Sequence, residues 1–252
     1  MGNNLYDEKS IESLSPLEFT RLRPGVYAGD TTYSTQLLVE IFSNAVDEYR
    51  LGHGSQIDVK IDKDIISVRD YGQGFIPNSF REDGKTILEA AFSVLNTSGK
   101  YREDGTYEGT SLGSFGIGSK ITTYLSHWLT VATVREGMSE TIKFTEGVFE
   151  NRKVEKCGYP SGTKVIWQAS EEFFKNTTVE IGAIKTLFKT VAALCPGLTI
   201  NLNDNGTETV YHSQYGLNDL VDDAVKGKEL IKNRLSVTQG NPYLWPGSQR
   251  AS

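Results

Sequence analysis

Apolar positions recur with two different periods along the chain, and these periods predict where helices and strands lie. Residues 35–51, TQLLVEIFSNAVDEYRL, carry apolar side chains every three or four positions, which predicts an amphipathic helix. Residues 56–70, QIDVKIDKDIISVRD, alternate with a period of two on both sides of a Lys63-Asp64 turn, which predicts two strands. A second helix is predicted over residues 85–100, closed by Ser98-Gly99.

The second half of the chain contains both periods again. A helix is predicted to begin near Ser119, and three strand-like runs follow within residues 128–168. A further helix is predicted over residues 178–197, and Asn205-Gly206 is typical of a hairpin turn between two last strands. Residues 217–227 are predicted to form a short helix.

This order of elements predicts an α+β fold. Strands that follow one another closely in sequence favour antiparallel pairing, so we expect a two-layer sandwich in which a mixed, mostly antiparallel sheet carries helices on one face. The polar residues 1–15 are predicted to form an N-terminal arm, and residues 16–220 the folded domain. Residues 221–252 are interpreted as a tail, or as the shortened connection to a further domain that this sequence does not contain.

Composition and charge exclude several classes of protein. The net charge of −6 and a sequence pI near 5.2 argue against a main contact with nucleic acid, which favours a basic face. No apolar run approaches the roughly 18 residues that span a bilayer, so we expect no membrane contact. Cys157 and Cys195 fit a reducing compartment, which predicts a cytoplasmic location, and the histidines show no metal-ligand spacing.

A polar stripe on the first long helix is one candidate site. Glu40, Asn44 and Glu48 are spaced by four and therefore lie along one side of the helix, opposite its apolar face. A merely solvated face would show the same spacing. A carboxylate one turn from an amide oxygen is also suited to polarise water and to bind a hard cation such as Mg²⁺.

Three further motifs carry candidate chemistry. In RDYGQG, Asp70 ends a predicted strand and Gly74 leaves room for a flat ring, although a simple turn explains both residues as well. The loop GSFGIGSK leads into a helix N-terminus, which favours an anion, but its residue order fits neither the Walker A motif nor the dinucleotide fingerprint, and a flexible surface loop is the alternative. In PSGTKVIWQ, Thr163 opens a strand and supplies a hydroxyl.

Together and in order, these motifs resemble the ATPase domain of type II DNA topoisomerase B subunits, which are those of gyrase and topoisomerase IV. The wider GHKL superfamily, with its Bergerat fold, has an E-x-x-x-N helix, a D-x-G-x-G turn and a G-x-G lid, which match residues 40–44, 70–74 and 116–118. Matches specific to the topoisomerases are RPGVYAGD, NAVDE, SGKY, VREG and SGT.

The resemblance implies roles for individual residues. Glu40 is implied to be the general base, Asn44 to bind the Mg²⁺ that bridges the ATP phosphates, and Asp70 to accept the adenine amino group beside Thr163. Further residues implied to contact ATP are Tyr6, Glu48, Gly74, Pro77, Lys100, Gly113, Gly116, Ile117 and Gly118. Those implied to line the pocket for novobiocin-like aminocoumarin inhibitors are Ile41, Asp70, Gln73, Arg135, Thr163 and Val165.

The resemblance also implies partners and an activity. ATP, with Mg²⁺ as cofactor, is expected to close a dimer clamp in which Tyr6 reaches the nucleotide of the second copy. The full enzyme is expected to act on DNA with an A-type, DNA-cleaving subunit. The alternative is an interaction module of the same superfamily that binds ATP without turnover. The family's catalytic lysine belongs to a following transducer domain, which nothing past residue 220 resembles, so we expect ATP binding with poor hydrolysis.

Two departures from the family pattern concern the adenine end of the site. Gln73 stands where the family usually has an arginine that pairs with the carboxylate matching Glu48, so Glu48 is expected to be unpaired. The segment between Gly74 and Pro77 is one residue longer than the family pattern.

Overall fold

The computed structural model describes residues 14–95 and 116–226, with the backbone alone for residues 222–225. Within these residues the chain forms seven helices and eight strands. The helices are α1 Pro16–Leu22, α2 Pro24–Ala28, α3 Thr35–Arg50, α4 Ile87–Ser93, α5 Gly118–Tyr124, α6 Ile181–Leu194 and α7 Leu217–Val225. The strands are β1 Gln56–Asp62, β2 Ile65–Asp70, β3 Ser126–Arg135, β4 Met138–Thr145, β5 Val148–Lys156, β6 Gly162–Ala169, β7 Thr199–Asp204 and β8 Thr207–His212.

All the strands in the described residues join one sheet, in the order β5-β4-β3-β6-β2-β1-β7-β8. The pairing of β1 with β7 is parallel, and the other neighbours are antiparallel. This topology confirms the prediction of an α+β fold with a mixed, mostly antiparallel sheet. The order also places the ends of β2, β3 and β6 side by side.

The core lies between the helices and one face of the sheet. Along β1 every second residue is buried, while the residues between them are not, which is the pattern of a strand with one covered face. Phe42 on α3 and Phe188 on α6 pack with ring centroids 4.5 Å apart, so the two long helices meet over the sheet. Among the described helices, none is long and apolar enough to cross a membrane.

Three predicted boundaries were wrong. Helix α4 ends at Ser93, several residues before Ser98, because Val94 adopts extended backbone angles. The helix predicted to begin near Ser119 begins at Gly118 but ends at Tyr124, and the residues from Ser126 belong to β3. Residues 128–168 contain part or all of four strands instead of three. The second predicted run is divided by a turn at Glu146-Gly147, where both residues have positive φ.

Candidate functional site

Asp70 is the most constrained acid of the site. It ends β2 and is 8% exposed. Its Oδ1 accepts the N–H of Gly72 at 2.9 Å and the N–H of Thr163, at the start of β6, at 3.1 Å. Burial raises the pKa of Asp70 to about 6, although the two backbone N–H groups oppose the shift. Within the described residues no donor reaches Oδ2, so this oxygen is available to a ligand.

Glycines pack the turn after Asp70 tightly against its neighbours. A Cβ at Gly74, whose φ is +70°, would lie 2.5 Å from the carbonyl oxygen of Val134 on β3. A Cβ at Gly162, whose φ is +129°, would lie 2.3 Å from the carbonyl oxygen of Asp70. Since both positions combine a backbone clash with a left-handed φ, glycine is required at each of them. The turn is therefore held in one conformation by β3 and β6.

Glu48 corrects the expectation that it lacks a partner. Its Oε2 accepts the backbone N–H of Gln73 at 3.2 Å and lies 3.4 Å from Nδ1 of His53. The side-chain amide of Gln73 contacts the other ring nitrogen, Nε2, of the same histidine. His53 and the Gln73 main chain thus occupy the surroundings of Glu48, where the family pattern has an arginine. The spacing of the histidines in the sequence contained no indication of this contact.

The polar stripe of α3 faces the first turn of α5. Glu40 accepts a hydrogen bond from Nε2 of Gln36 at 2.7 Å, one helical turn earlier. Its Oε2 lies only 2.0 Å from where a Cβ would stand at Gly118, so the carboxylate lies directly against the backbone of that glycine. Asn44 is half-buried and has no hydrogen bond to another described residue, which leaves its amide oxygen free to bind a ligand.

The remaining predicted residues divide into three groups. Pro77 and Ile117 are half-buried, and the guanidinium Nη1 of Arg135 lies 3.5 Å from the carbonyl oxygen of Gly74. Ile41 and Val165 are buried members of the hydrophobic core, at the side of the Asp70 turn that β6 and α3 form. Those that lie outside the described residues are Tyr6, Lys100 and Gly113.

Two residues near the site were missed by the sequence analysis. Thr133 on β3 accepts the N–H of Phe75 at 2.8 Å, and Glu140 on β4 accepts the N–H of Asn78 at 2.6 Å. Both side chains are fully buried. Since they approach the segment from strands some 60 residues later in the chain, only the register of β3 and β4 could have revealed them.

The sheet topology, the acid-and-glycine turn after β2 and the facing Glu40 and Gly118 are the features of the GHKL nucleotide-binding fold. The B subunit of DNA topoisomerase 4 from Staphylococcus aureus, in strains Mu50 and MW2, is 35% identical to this chain over 238 residues. The match covers 90% of the chain but 35% of those proteins, so the chain spans about a third of the length of these curated relatives.

A solved structure agrees with these relatives. The 43K ATPase domain of Thermus thermophilus gyrase B, crystallised with an aminocoumarin, superposes with a TM-score of 0.72 at 27% identity, over 86% of this chain and 57% of that one. No protein-family model matches the chain. By sequence and fold, the chain belongs to the family of ATPase domains of bacterial type II DNA topoisomerase B subunits.

Proposed function

We propose that the chain, over residues 16–220, is the ATP-binding and ATP-hydrolysing domain of a type II DNA topoisomerase B subunit. The carboxylate of Asp70 carries the proposal. One of its oxygens is fixed by two backbone N–H groups, while the other accepts nothing from the described residues. A buried acceptor of this kind matches an exocyclic amine such as that of adenine, and the neighbouring Thr163 hydroxyl adds a second polar group.

The glycines support a flat, close-packed ligand beside this acid. At Gly74 a side chain is excluded by the β3 backbone, so the turn presents bare main chain. At Gly116, whose φ is +63°, the chain turns into α5, and Ile117 and Gly118 follow with free backbone N–H groups at the helix start. We assign the base to the first region and the phosphates to the second, with Glu48, Pro77, Lys100 and Gly113 as further contacts.

The described residues fit a magnesium ion that is bound mainly by the nucleotide. They contain no group of three or more acidic, histidine or cysteine side chains that could bind a metal by itself. The free amide of Asn44 supplies one oxygen ligand, and Mg²⁺ commonly takes one or two protein ligands with phosphates and waters. When bound, the ion would neutralise charge on the phosphates.

Glu40 is the proposed general base for hydrolysis. Its carboxylate lies one helical turn from Asn44 and directly against Gly118, which places it between the proposed phosphate region and the cation ligand. There it can orient a water molecule and accept its proton as the water attacks the γ-phosphorus. The remaining catalysis in such a transfer comes from positioning and charge stabilisation.

At the level of the whole protein, we propose that ATP binding closes a clamp between two copies of the chain, with the arm of residues 1–15 and Tyr6 reaching the second copy. The names of the relatives support the further proposal that the full enzyme passes DNA strands in the cytoplasm together with an A-type cleaving subunit. The gyrase B relative was crystallised with an aminocoumarin, which supports the same ligand class here. Its proposed contacts are Ile41, Asp70, Gln73, Arg135, Thr163 and Val165.

A second candidate is a module of the same superfamily that binds ATP without turnover. The chain spans about a third of its curated relatives, and the family's catalytic lysine lies in a following domain, so binding alone is the activity that these residues can be asked to perform. The two candidates differ in whether Glu40 affects a rate.

The test separates nucleotide binding from hydrolysis. Asp70→Asn is expected to abolish calorimetric binding of Mg²⁺-ATP and the rise in melting temperature with ATP or novobiocin, because the amide would present an N–H to the adenine amine. Asp62→Asn, at the opposite end of the β1–β2 hairpin, is the control and is expected to bind normally. Glu40→Gln should keep binding and lose any measurable hydrolysis.

Two results would contradict the proposal. Unchanged ATP affinity in Asp70→Asn would remove Asp70 from the site, and wild-type turnover in Glu40→Gln would remove Glu40 as the base. Equal, low turnover in both Glu40 forms, with intact binding, would favour the module without turnover.

A further inference from the structure

Two side chains on neighbouring strands hold the segment that follows the Asp70 turn. Thr133 on β3 and Glu140 on β4 are cross-strand partners, and both are fully buried. The first accepts the N–H of Phe75 at 2.8 Å, and the second accepts the N–H of Asn78 at 2.6 Å. The backbone between these two positions is therefore attached to the sheet at both ends.

Arg152 on β5 completes the second attachment. Its Nε donates to Glu140 Oε1 at 2.9 Å, its Nη2 donates to Asn78 Oδ1 at 2.6 Å, and its guanidinium carbon lies 5.1 Å from the centroid of the Phe80 ring. Both oxygens of the buried carboxylate thus have donors. A buried ion pair contributes little more to stability than apolar residues of the same volume, so what this arrangement chiefly provides is a fixed position for Asn78.

The position of Asn78 determines where its two predecessors lie. Its φ is +59°, a left-handed conformation that needs support from its surroundings. Ile76 and Pro77 lie between the two attachments, and the side chain of Ile76 is 51% exposed although it is apolar. An exposed, rigidly held apolar side chain beside a polar pocket is suited to cover a flat ring.

We propose that Glu140 is a positioning residue for the nucleotide site. Through the N–H of Asn78 it sets where Ile76 and Pro77 stand against a bound adenine. The inference rests on the proposed function, because the adenine is part of that proposal. It also gives a reason for the additional residue between Gly74 and Pro77, since a longer segment needs a second attachment to keep one conformation.

The test compares ligands with and without a base. Glu140→Gln keeps the shape of the side chain but removes the charge that pairs with Arg152. It is expected to weaken calorimetric binding of Mg²⁺-ATP about tenfold, a loss typical of one charged hydrogen bond. Binding of inorganic tripolyphosphate, which has no base to cover, is expected to change less than about twofold. Hydrogen exchange at the amides of residues 76–78 should become faster.

The Lys143–Glu150 pair offers a matched control. It also bridges β4 and β5, with Nζ and Oε2 2.9 Å apart, but within the described residues it does not contact the segment after Gly74. Glu150→Gln is expected to leave both affinities and the exchange rates unchanged. If Glu140→Gln does not fold, Thr133→Val releases the first attachment and is expected to give the same selective loss for ATP.

Each other outcome overturns the inference. An unchanged ATP affinity in both variants would show that the attachments do not position the site. Equal losses for ATP and tripolyphosphate would show a general structural defect. If the wild-type protein itself fails to bind ATP, the proposed function fails together with this inference, whereas ATP binding that both variants share with the wild type removes the inference alone.

Discussion

Asp70 is held in a state that water would not favour. Its carboxylate is buried, and the charge of Glu48 nearby adds to the effect of burial in raising the pKa, while two N–H groups on Oδ1 and the charge of Arg69 oppose it. An ionised acid in such a place has an unmet need for a donor. An amine that donates to Oδ2 satisfies this need, which links the cost of burying the acid to affinity for its ligand.

The stability of the protein should therefore fall with rising pH because of Asp70. The folded-state pKa of about 6 exceeds the ordinary value of 3.8, so the folded state binds the proton more tightly. The contribution of this proton to the free energy of unfolding is complete below pH 3.8 and is lost as the pH rises through about 6. The loss amounts to about 3 kcal/mol, an order-of-magnitude figure from the size of the shift.

Urea unfolding of the wild type and of Asp70→Asn, from about pH 4 to about pH 7.5, checks this prediction. The difference in free energy of unfolding between the two proteins should change in favour of Asp70→Asn as the pH rises. A difference that stays constant across this range would contradict the raised pKa.

At the scale of elements, the site depends on how closely α3 approaches α5. The Glu40 side chain occupies the space where a Cβ at Gly118 would be, and Thr122 on α5 donates its hydroxyl proton to the carbonyl oxygen of Leu37 at 3.4 Å. The glycine thus allows the carboxylate of the proposed base to lie against the start of a helix. Any larger residue would separate the two.

Gly118→Ala is expected to destabilise the protein by about 1–2 kcal/mol, as typical overpacking does, and to reduce hydrolysis more than ATP binding, because Glu40 must move. Gly182→Ala is the matched control. Gly182 also lies in the first turn of a helix, α6, but its Cβ would have nothing within 4 Å. This change should stabilise the protein by about 0.5–1 kcal/mol. Denaturant midpoints measure both effects, and equal destabilisation by the two alanines would contradict the close approach.

The sequence predicted elements well where one period extended without interruption. Helix α3 and the β1–β2 hairpin agree with the prediction, because each has a regular apolar face and clear turn residues. The boundaries failed where the deciding residue was local and weak, as at Val94 and at the Glu146-Gly147 turn. In the site, Asp70, Glu40 and the glycines belong to a short local pattern, whereas His53 and Glu140 act through contacts that depend on the fold.

For the whole molecule, the first two helices leave apolar side chains uncovered. Leu22 on α1 is 61% exposed and Val26 on α2 is 69% exposed, although both lie close in sequence to the proposed N-terminal arm. Exposed apolar side chains that cluster at one end of a domain commonly mark an interface. A single copy of the domain would gain nothing from them, but a second copy of the chain could bury them when the arm crosses over.

The final prediction follows from this surface and from the proposed clamp. With Mg²⁺ and a non-hydrolysable ATP analogue, sedimentation velocity should show a mass near twice 27.9 kDa, and without nucleotide the single mass. Val26→Glu should still bind the analogue but remain a monomer, since a charge in an apolar interface is costly to desolvate. Val210→Glu, which alters a residue 64% exposed on β8, is the control and should dimerise normally. Dimers that form equally in both variants would place the interface elsewhere, and a monomer at saturating nucleotide in the wild type would rule out the clamp.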